Sequence, residues 1–247
     1  TATLNMASYT VTSNSFAIGQ AAPAFTQPTV GSLTPYLTGS ASLNYGGPPA
    51  YAPSVSFPGT TGTATFGTNS AIFDVNSSNI FCEAWIYKTT TGLQSIITSN
   101  TLHSSIQYTF SYEFTVQESG SGMGTLMGDS AGTSLKGSAS GLTIPLNTWT
   151  HCVWAIDSTN LKLRWARNGS AGGSGTAYTG PIWYSGQDSF GLGSFSFSSP
   201  KFTGYISDIR VIKGAIFNTP ASFTPTPAPF GTSLPSYVTG GSVVFSL

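Results

Sequence analysis

Apolar and polar residues alternate in short runs along most of the chain. The run Gln107 to Gln117, QYTFSYEFTVQ, shows the period plainly: Tyr108, Phe110, Tyr112, Phe114 and Val116 share one face, while Gln107, Thr109, Ser111, Glu113 and Thr115 share the other. A period of two predicts a strand with one buried face and one wet face. Similar runs recur between Gly, Asn and Ser turn signals: SVSFPG, ATFG, NIFCEAWIYK, QSIITS, WTHCVWAID, LKLRWARNG, DSFGLGSFSF and FTGYISDIRVI. Many short strands between turns predict an all-β antiparallel sandwich or barrel with almost no helix. Asn168-Gly169 after LKLRWAR predicts a two-residue hairpin, because both residues tolerate positive φ. Prolines 220, 225, 227 and 229 bar a sheet interior between Thr219 and Pro229. The closing run GGSVVFSL reads as one more strand, pairing back on the domain or on the N-terminal arm. Up to Pro53, SYTVTSNSFAIG alternates with breakers such as AAPAFTQP and YGGPPAYAP, which predicts an arm carrying one or two strands.

Composition narrows the partners. Charged residues make up only 6% of the 247, eight Lys plus Arg against eight Asp plus Glu, so solubility rests on Ser, Thr, Asn, Gly and backbone amides. Phosphate capture needs clustered cations, and none cluster here, which argues against nucleic acid as a partner. Aromatics at 13%, alternating with small polar residues, predict a folded β protein rather than disorder. No run approaches the roughly 20 apolar residues of a membrane-spanning helix, so membrane insertion is not expected and a soluble chain is. The first residue is Thr, which suggests a processed product, an excised fragment or a partial chain. Cys82 and Cys152 lie in strand-like runs, as small buried thiols or as a cross-strand bridge. The sequons at Asn76 and Asn168 are near the chance level for a Ser-rich chain and do not establish secretion.

With the strands placed, FTGYISDIRVIKGAIFNTPASFTPTPAPF resembles the closing segment of laminin-G-like, concanavalin A-like jelly-roll domains, in particular those of bacteriophage and other viral structural proteins. Phe202, Gly204, Tyr205, Ile206, Asp208, Ile209, Arg210, Val211, Gly214, Phe223, Thr224 and Pro225 carry the pattern. Upstream, SVSFPG stands at the family's opening strand, IFCEAWIY at its Glu-x-Trp strand, Trp149-Thr150-His151 at the start of a central strand, and LRWARNG at the hairpin strand. Arg167 departs from the pattern, standing where an aliphatic is usual. The resemblance implies a two-sheet antiparallel jelly roll over residues 54–230, with 1–53 as an N-terminal arm or extra strands and 231–247 as a C-terminal strand or tail. Strict alternation along the closing strand puts Tyr205, Ser207, Ile209 and Val211 on one face, and Asp208 with Arg210 on the other, where they pair or bond nearby loop amides.

The same fold carries glucanases, whose paired acids sit at alternate positions on one strand face. Glycoside hydrolysis needs two carboxyls, about 5–5.5 Å apart when retaining and about 6.5–9.5 Å when inverting. The matching strand here, FCEAWIYK, offers Glu83 alone, with no acid at 81, 85 or 87. Glu113 and Glu118 have the odd spacing that puts strand neighbours on opposite faces. His103 and His151 are the only histidines, and His151 reads as a packed or hydrogen-bonded imidazole in a strand. No nucleophile elbow, phosphate loop or Cys/His metal spacing appears. The chain is therefore expected not to be an enzyme and to need no cofactor. Calcium occurs in some laminin-G-like domains; Asp74, Asp129, Asp157 and Asp188 lie in loops, but no acid-rich loop supports an ion.

Glycan binding is the activity left. Phe81, Glu83, Trp85 and Tyr87 share one face of their strand, opposite Cys82, Ala84, Ile86 and Lys88. If the small residues face the core, the aromatic and acidic face lines the concave sheet, where the resemblance places sugars; ring faces take sugar C–H groups and Glu accepts hydroxyls. Trp183 and Tyr184 add a platform from a loop. The competing assignment makes these residues core or inter-domain packing. The resemblance leads to a non-enzymatic virion surface protein, a capsid decoration or tail-fibre component, with glycan recognition as an accompanying role. Its partners would be other virion subunits or further copies of itself, and cell-surface glycans. The alternatives are a secreted or cell-surface lectin and, behind it, a glucanase relative.

Overall fold

The computed structural model describes residues 35–38, 42–44, 54–59, 63–68, 74–100, 112–128, 135–172, 175–182, 189–193, 201–227, 230 and 233–246. Among the described residues there is no helix, and the strands run β1 (Pro35–Thr38), β2 (Ser42–Asn44), β3 (Ser54–Pro58), β4 (Thr63–Thr68), β5 (Ile80–Lys88), β6 (Gln94–Asn100), β7 (Glu113–Val116), β8 (Gly124–Gly128) and β9 (Leu135–Ala139). They continue as β10 (Trp149–Asp157), β11 (Lys162–Arg167), β12 (Ser170–Ala171), β13 (Thr176–Ala177), β14 (Ser189–Leu192), β15 (Thr203–Lys213), β16 (Ile216–Phe217), β17 (Val238–Thr239) and β18 (Ser242–Ser246). One sheet has the order β1-β4-β14-β6-β7-β8-β9, and the other β12-β11-β10-β5-β15-β3-β2, with β13 added to β11 and β18 to β15. All these pairings are antiparallel, giving the expected jelly-roll sandwich.

Strand alternation explains the core. Cys82, Ala84 and Ile86 of β5, Cys152, Trp154 and Ile156 of β10, and Ile206, Ile209 and Val211 of β15 turn inward to meet Ile97, Phe114 and Leu192 of the first sheet. The Phe114 and Trp154 rings stack across the layers, 5.6 Å apart and 11° from parallel. Each large aliphatic or Phe side chain among them contributes about 1.5–3 kcal/mol by leaving water. The indoles keep their N–H groups satisfied, Trp154 donating to the Thr115 carbonyl at 3.4 Å and Trp165 to Thr125 Oγ1 at 3.1 Å. Both cysteines are free and buried in this core, and burial pushes both thiols up.

Asn168 and Gly169 form the hairpin between β11 and β12 with φ of 47° and 81°, so the Asn-Gly signal holds. The Asn168 carboxamide oxygen also accepts the His151 amide at 2.8 Å and extends the ladder past the turn. Other expectations change. Tyr112, Phe114 and Val116 do face the core, but Glu113 and Thr115 on the opposite face of β7 are buried rather than wet, and the Ser95 hydroxyl donates to Glu113. Residues 107–111 of that run lie outside the described residues.

The closing strand does not alternate strictly. A bulge falls between Ser207, opposite Trp85, and Ile209, opposite Ala84, leaving Asp208 as the extra residue at φ 45°. Ile209 and Val211 therefore stay in the core, while Arg210 joins Tyr205 and Ser207 on the outer face. Arg210 does not pair with Asp208, whose carboxylate takes the Ser207 hydroxyl at 3.4 Å. The bulge sits where one edge of β15 changes partner, from β3 at Thr203 to Ile206 to β18 at Arg210 to Lys213.

Candidate functional site

The outer face of the second sheet is built in four cross-strand rungs on β10, β5 and β15. From one end they are Ala155, Phe81 and Ile212; then Val153, Glu83 and Arg210; then His151, Trp85 and Ser207; and finally Trp149, Tyr87 and Tyr205. Small, charged and aromatic side chains thus stand in register on a single face.

The described residues between Ala215 and Val243 lie over the first three rungs. Phe217, Tyr237, Val238 and Val243 pack on Phe81, Val153, Ala155 and Ile212 as a second buried cluster. Phe223 contacts Tyr237 with ring centroids 4.1 Å apart. The Phe223 amide donates to the Gly169 carbonyl at 2.8 Å, and Ser222 bridges to Ser170, so the hairpin turn anchors the cover. A Cβ on Gly169 would stand 2.0 Å from the Phe223 carbonyl oxygen, which, with its positive φ, explains why glycine occupies the turn. Prolines 220, 225 and 227 suit this strand-free path.

Beneath the cover, Glu83 is fully buried and both its oxygens are engaged. Arg210 donates Nε to Oε1 at 2.8 Å and Nη2 to the same oxygen; His151 Nε2 lies 2.9 Å from Oε2, which also accepts the Tyr237 hydroxyl. Arg210 also donates Nη1 to the Ser233 carbonyl at 2.6 Å and lies 4.9 Å from the centroid of the Phe230 ring. Burial alone would raise the Glu83 carboxyl, but the bonds and charges of His151, Arg210 and Tyr237 outweigh it and hold it below the ordinary carboxylate range. Burial, then the nearby Glu83 charge, pushes the Tyr237 phenol up, so it stays a donor. This carboxylate is a fixed, ionised acceptor whose two oxygens are taken by protein donors, and among the described residues no second acid joins the cluster.

Two of the candidate binding residues are therefore withdrawn from solvent. Glu83 is locked in the ion cluster, and Trp85 is 9% exposed, its indole N–H donating to the Thr226 carbonyl at 3.1 Å and its ring 5.2 Å from His151. Over these two residues the face is a buried interface with the chain's own C-terminal segment, as in the packing assignment rather than the open one. Tyr87 alone of the three stays half-buried, and it is not isolated. Its ring centroid lies 5.6 Å from Trp149 and 5.8 Å from Tyr205, both also half-buried. Gly204 brings β15 close at this point: a Cβ there would meet the Tyr87 carbonyl oxygen at 2.0 Å. Trp183 and Tyr184 lie outside the described residues, as do His103, Asp129 and Asp188.

The two aspartates from the calcium expectation that are described serve local turns. Asp74 accepts the Asn76 and Ser77 amides at 3.1 and 3.2 Å, and Asp157 binds Asn160 and lies 3.5 Å from Arg164. Among the described residues no three His, Cys, Asp or Glu side chains converge as a metal site. Lys88, the inward end of β5, is fully buried and donates to Glu118 at 2.7 Å. That bond first, with the Gly92 amide, draws the Glu118 carboxyl down to about 2.

A family model described as the concanavalin A-like lectin/glucanase superfamily matches residues 58–219, well over half of the sequence. The chain belongs to that superfamily. The fold is similar to that of domain 4 of AbnA, a GH43 extracellular arabinanase from Geobacillus stearothermophilus, solved in complex with arabinotriose. That similarity has a TM-score of 0.53 at 18% identity, over 75% of this chain and 84% of that one. It is also similar to the CBM40 of the Ruminococcus gnavus IT-sialidase bound to α2,3-sialyllactose, with a TM-score of 0.52 at 13% identity, over 64% of this chain and 88% of the other. No curated protein matches the sequence. At these identities the likeness is one of fold.

Sequence reasoning missed Trp149, Tyr205, His151 and Tyr237 as partners of the β5 face. Trp149 and Tyr205 belong to the quoted motifs, but only strand register sets them beside Tyr87. Tyr237 lies after the proline-rich stretch and carries no local signal.

Proposed function

We propose that this chain is a non-catalytic carbohydrate-recognition module. The observation that carries the reading is the state of Glu83. The sole acid on the family's Glu-x-Trp strand is saturated by Arg210, His151 and Tyr237 beneath the C-terminal cover, so it serves structure and not hydrolysis. Hydrolysis needs two carboxyls that reach a sugar and a water. The low charge of the chain suits ligands recognised through hydroxyls and ring faces rather than through ionic groups. Two jelly-roll domains of similar fold hold an arabinotriose and a sialyllactose, which supports sugars as the ligand class.

The test is a glycan array read together with a reducing-sugar assay on laminarin, agarose and xylan. Binding to at least one glycan with no product release is the expected result. Release of reducing sugar that disappears in Glu83→Gln would replace this reading with a glucanase.

A second reading sets the domain on a virion, as a capsid decoration or tail-fibre component. It draws on the low charge of the chain, since docking through backbone pairing at a sheet edge uses no charge. Copurification with a particle that survives high salt supports it; a monomer recovered free of any particle counts against it.

A further inference from the structure

We infer that the rung Trp149, Tyr87 and Tyr205 is the ligand surface, and that it takes a neutral glycan chain lying across the strands. The inference rests on the recognition role proposed above and adds to it the place, the ligand class and the direction of binding.

The C-terminal segment seals three of the four rungs and leaves this one half-buried. Its three rings stand on adjacent strands in direct register, Trp149 opposite Tyr87 and Tyr87 opposite Tyr205. Ring centroids recur at 5.6 and 5.8 Å, close to the roughly 4.7–4.9 Å strand spacing that sets them. That repeat is comparable to the length of one sugar ring in an extended chain, so successive rings meet successive sugars only when the chain runs along the rung. The planes are tilted by 58° and 60°, so neighbouring rings also pack against one another and hold the row in place.

Chemistry sets the ligand class. Every member of the rung is uncharged, and the line continues on β3 at Ser56, directly opposite Tyr205. Phenol and Ser hydroxyls donate and accept, matching sugar hydroxyls without selecting a charge. The ion pair of Glu83 with Arg210 is two rungs away and internally neutralised. Lys88, next to Tyr87 in sequence, turns inward to Glu118. Among the described residues the rung itself carries no cation to replace the water an acidic glycan gives up.

Affinity electrophoresis of the full chain tests this with laminarin, agarose and xylan as neutral probes and alginate and chondroitin sulfate as acidic ones. Thermal melts of each variant confirm folding. The expected result is retardation by at least one neutral probe, weakened tenfold or more in Tyr87→Ala, Trp149→Ala and Tyr205→Ser. Retention within threefold is expected in Tyr87→Phe, which keeps the ring, and in Leu161→Ala, an exposed apolar control beyond the end of β10 opposite Trp149. Retardation that all three rung variants leave unchanged overturns the assignment while leaving glycan recognition standing. Retardation by the acidic probes alone overturns the ligand class. If no probe retards the protein and the glycan array is also blank, the recognition role itself falls, and this inference with it.

Discussion

Replacing Glu83 by Gln puts the whole account of the buried cluster under strain. In the native protein one carboxylate accepts from Arg210, His151 and Tyr237, and Arg210 is 1% exposed. Gln is nearly isosteric, but it removes the negative charge and turns one acceptor oxygen into an amide that points donors at donors. Arg210 is then a buried cation without its counterion. Breaking a buried pair from one side costs about 3–5 kcal/mol. That is a large part of the roughly 5–15 kcal/mol that holds a domain folded. For a domain of this size each kcal/mol moves the melting temperature by about 2–4 °C, so Glu83→Gln should melt roughly 6–20 °C below the wild type. Calorimetry at pH 7 reads this directly. A double-mutant cycle with Arg210→Met should return a coupling of about 0.5–3 kcal/mol, since the two side chains share one network. A loss under about 1 kcal/mol, typical of exposed pairs, would refute the reasoning: the cover would not be seated and Glu83 would meet solvent. An unchanged melt with lost hydrolytic activity would make Glu83 a catalytic acid.

Other outcomes follow from single residues. Burial, only partly offset by the Ser207 hydroxyl, raises the Asp208 carboxyl from 3.8 to about 6, so the folded state binds the proton more tightly than the unfolded one. Stability from this group is full below pH 3.8 and lost as pH rises through about 6. At about 1.4 kcal/mol per pK unit the ceiling is about 3 kcal/mol, and partial exposure lowers the expected gain of Asp208→Asn at pH 7.5 to about 1–2 kcal/mol. Denaturant melts of the two proteins should converge at pH 3.5; an equal gap at both pH values contradicts the assignment. Gly169→Ala should cost at least about 1–3 kcal/mol, because its Cβ meets the Phe223 carbonyl at positive φ, and limited proteolysis should then cut within residues 218–227. A melt and a digestion pattern like the wild type would show that the hairpin does not anchor the cover. Cys82 and Cys152 should resist thiol reagents in the native state and react only on unfolding; rapid labelling at pH 8 would contradict their burial.

Local chemistry made much of the fold legible. The period of two in IFCEAWIY and WTHCVWAI placed the small and aliphatic residues inward, Asn168-Gly169 fixed a hairpin through its positive φ, and the prolines after Thr219 barred a strand. The bulge at Asp208 carried no such signal. Asp accepts φ 45° as a single residue, and the need for an extra residue comes from β15 changing partner from β3 to β18, which is a property of the sheet. The parity of Arg210 was misread for that reason. Whether the face of Glu83 and Trp85 is open or packed is set elsewhere: a strand's own pattern shows which residues share a face, not what covers it. Phe217, Phe223 and Tyr237 sit in a stretch that reads as loop, yet they seal that face. The aromatic rung likewise needs the registers of β10 and β15 on β5, which are set over long sequence separations.

The most direct test is an aromatic-resonance NMR titration with a neutral oligosaccharide drawn from whichever polysaccharide retards the protein. The account predicts progressive shifts at Trp149, Tyr87 and Tyr205, silent signals from Trp85 and Trp154, and an oligosaccharide recovered intact. Shifts centred on Trp85 and His151, or a cleaved sugar in the tube, would contradict it.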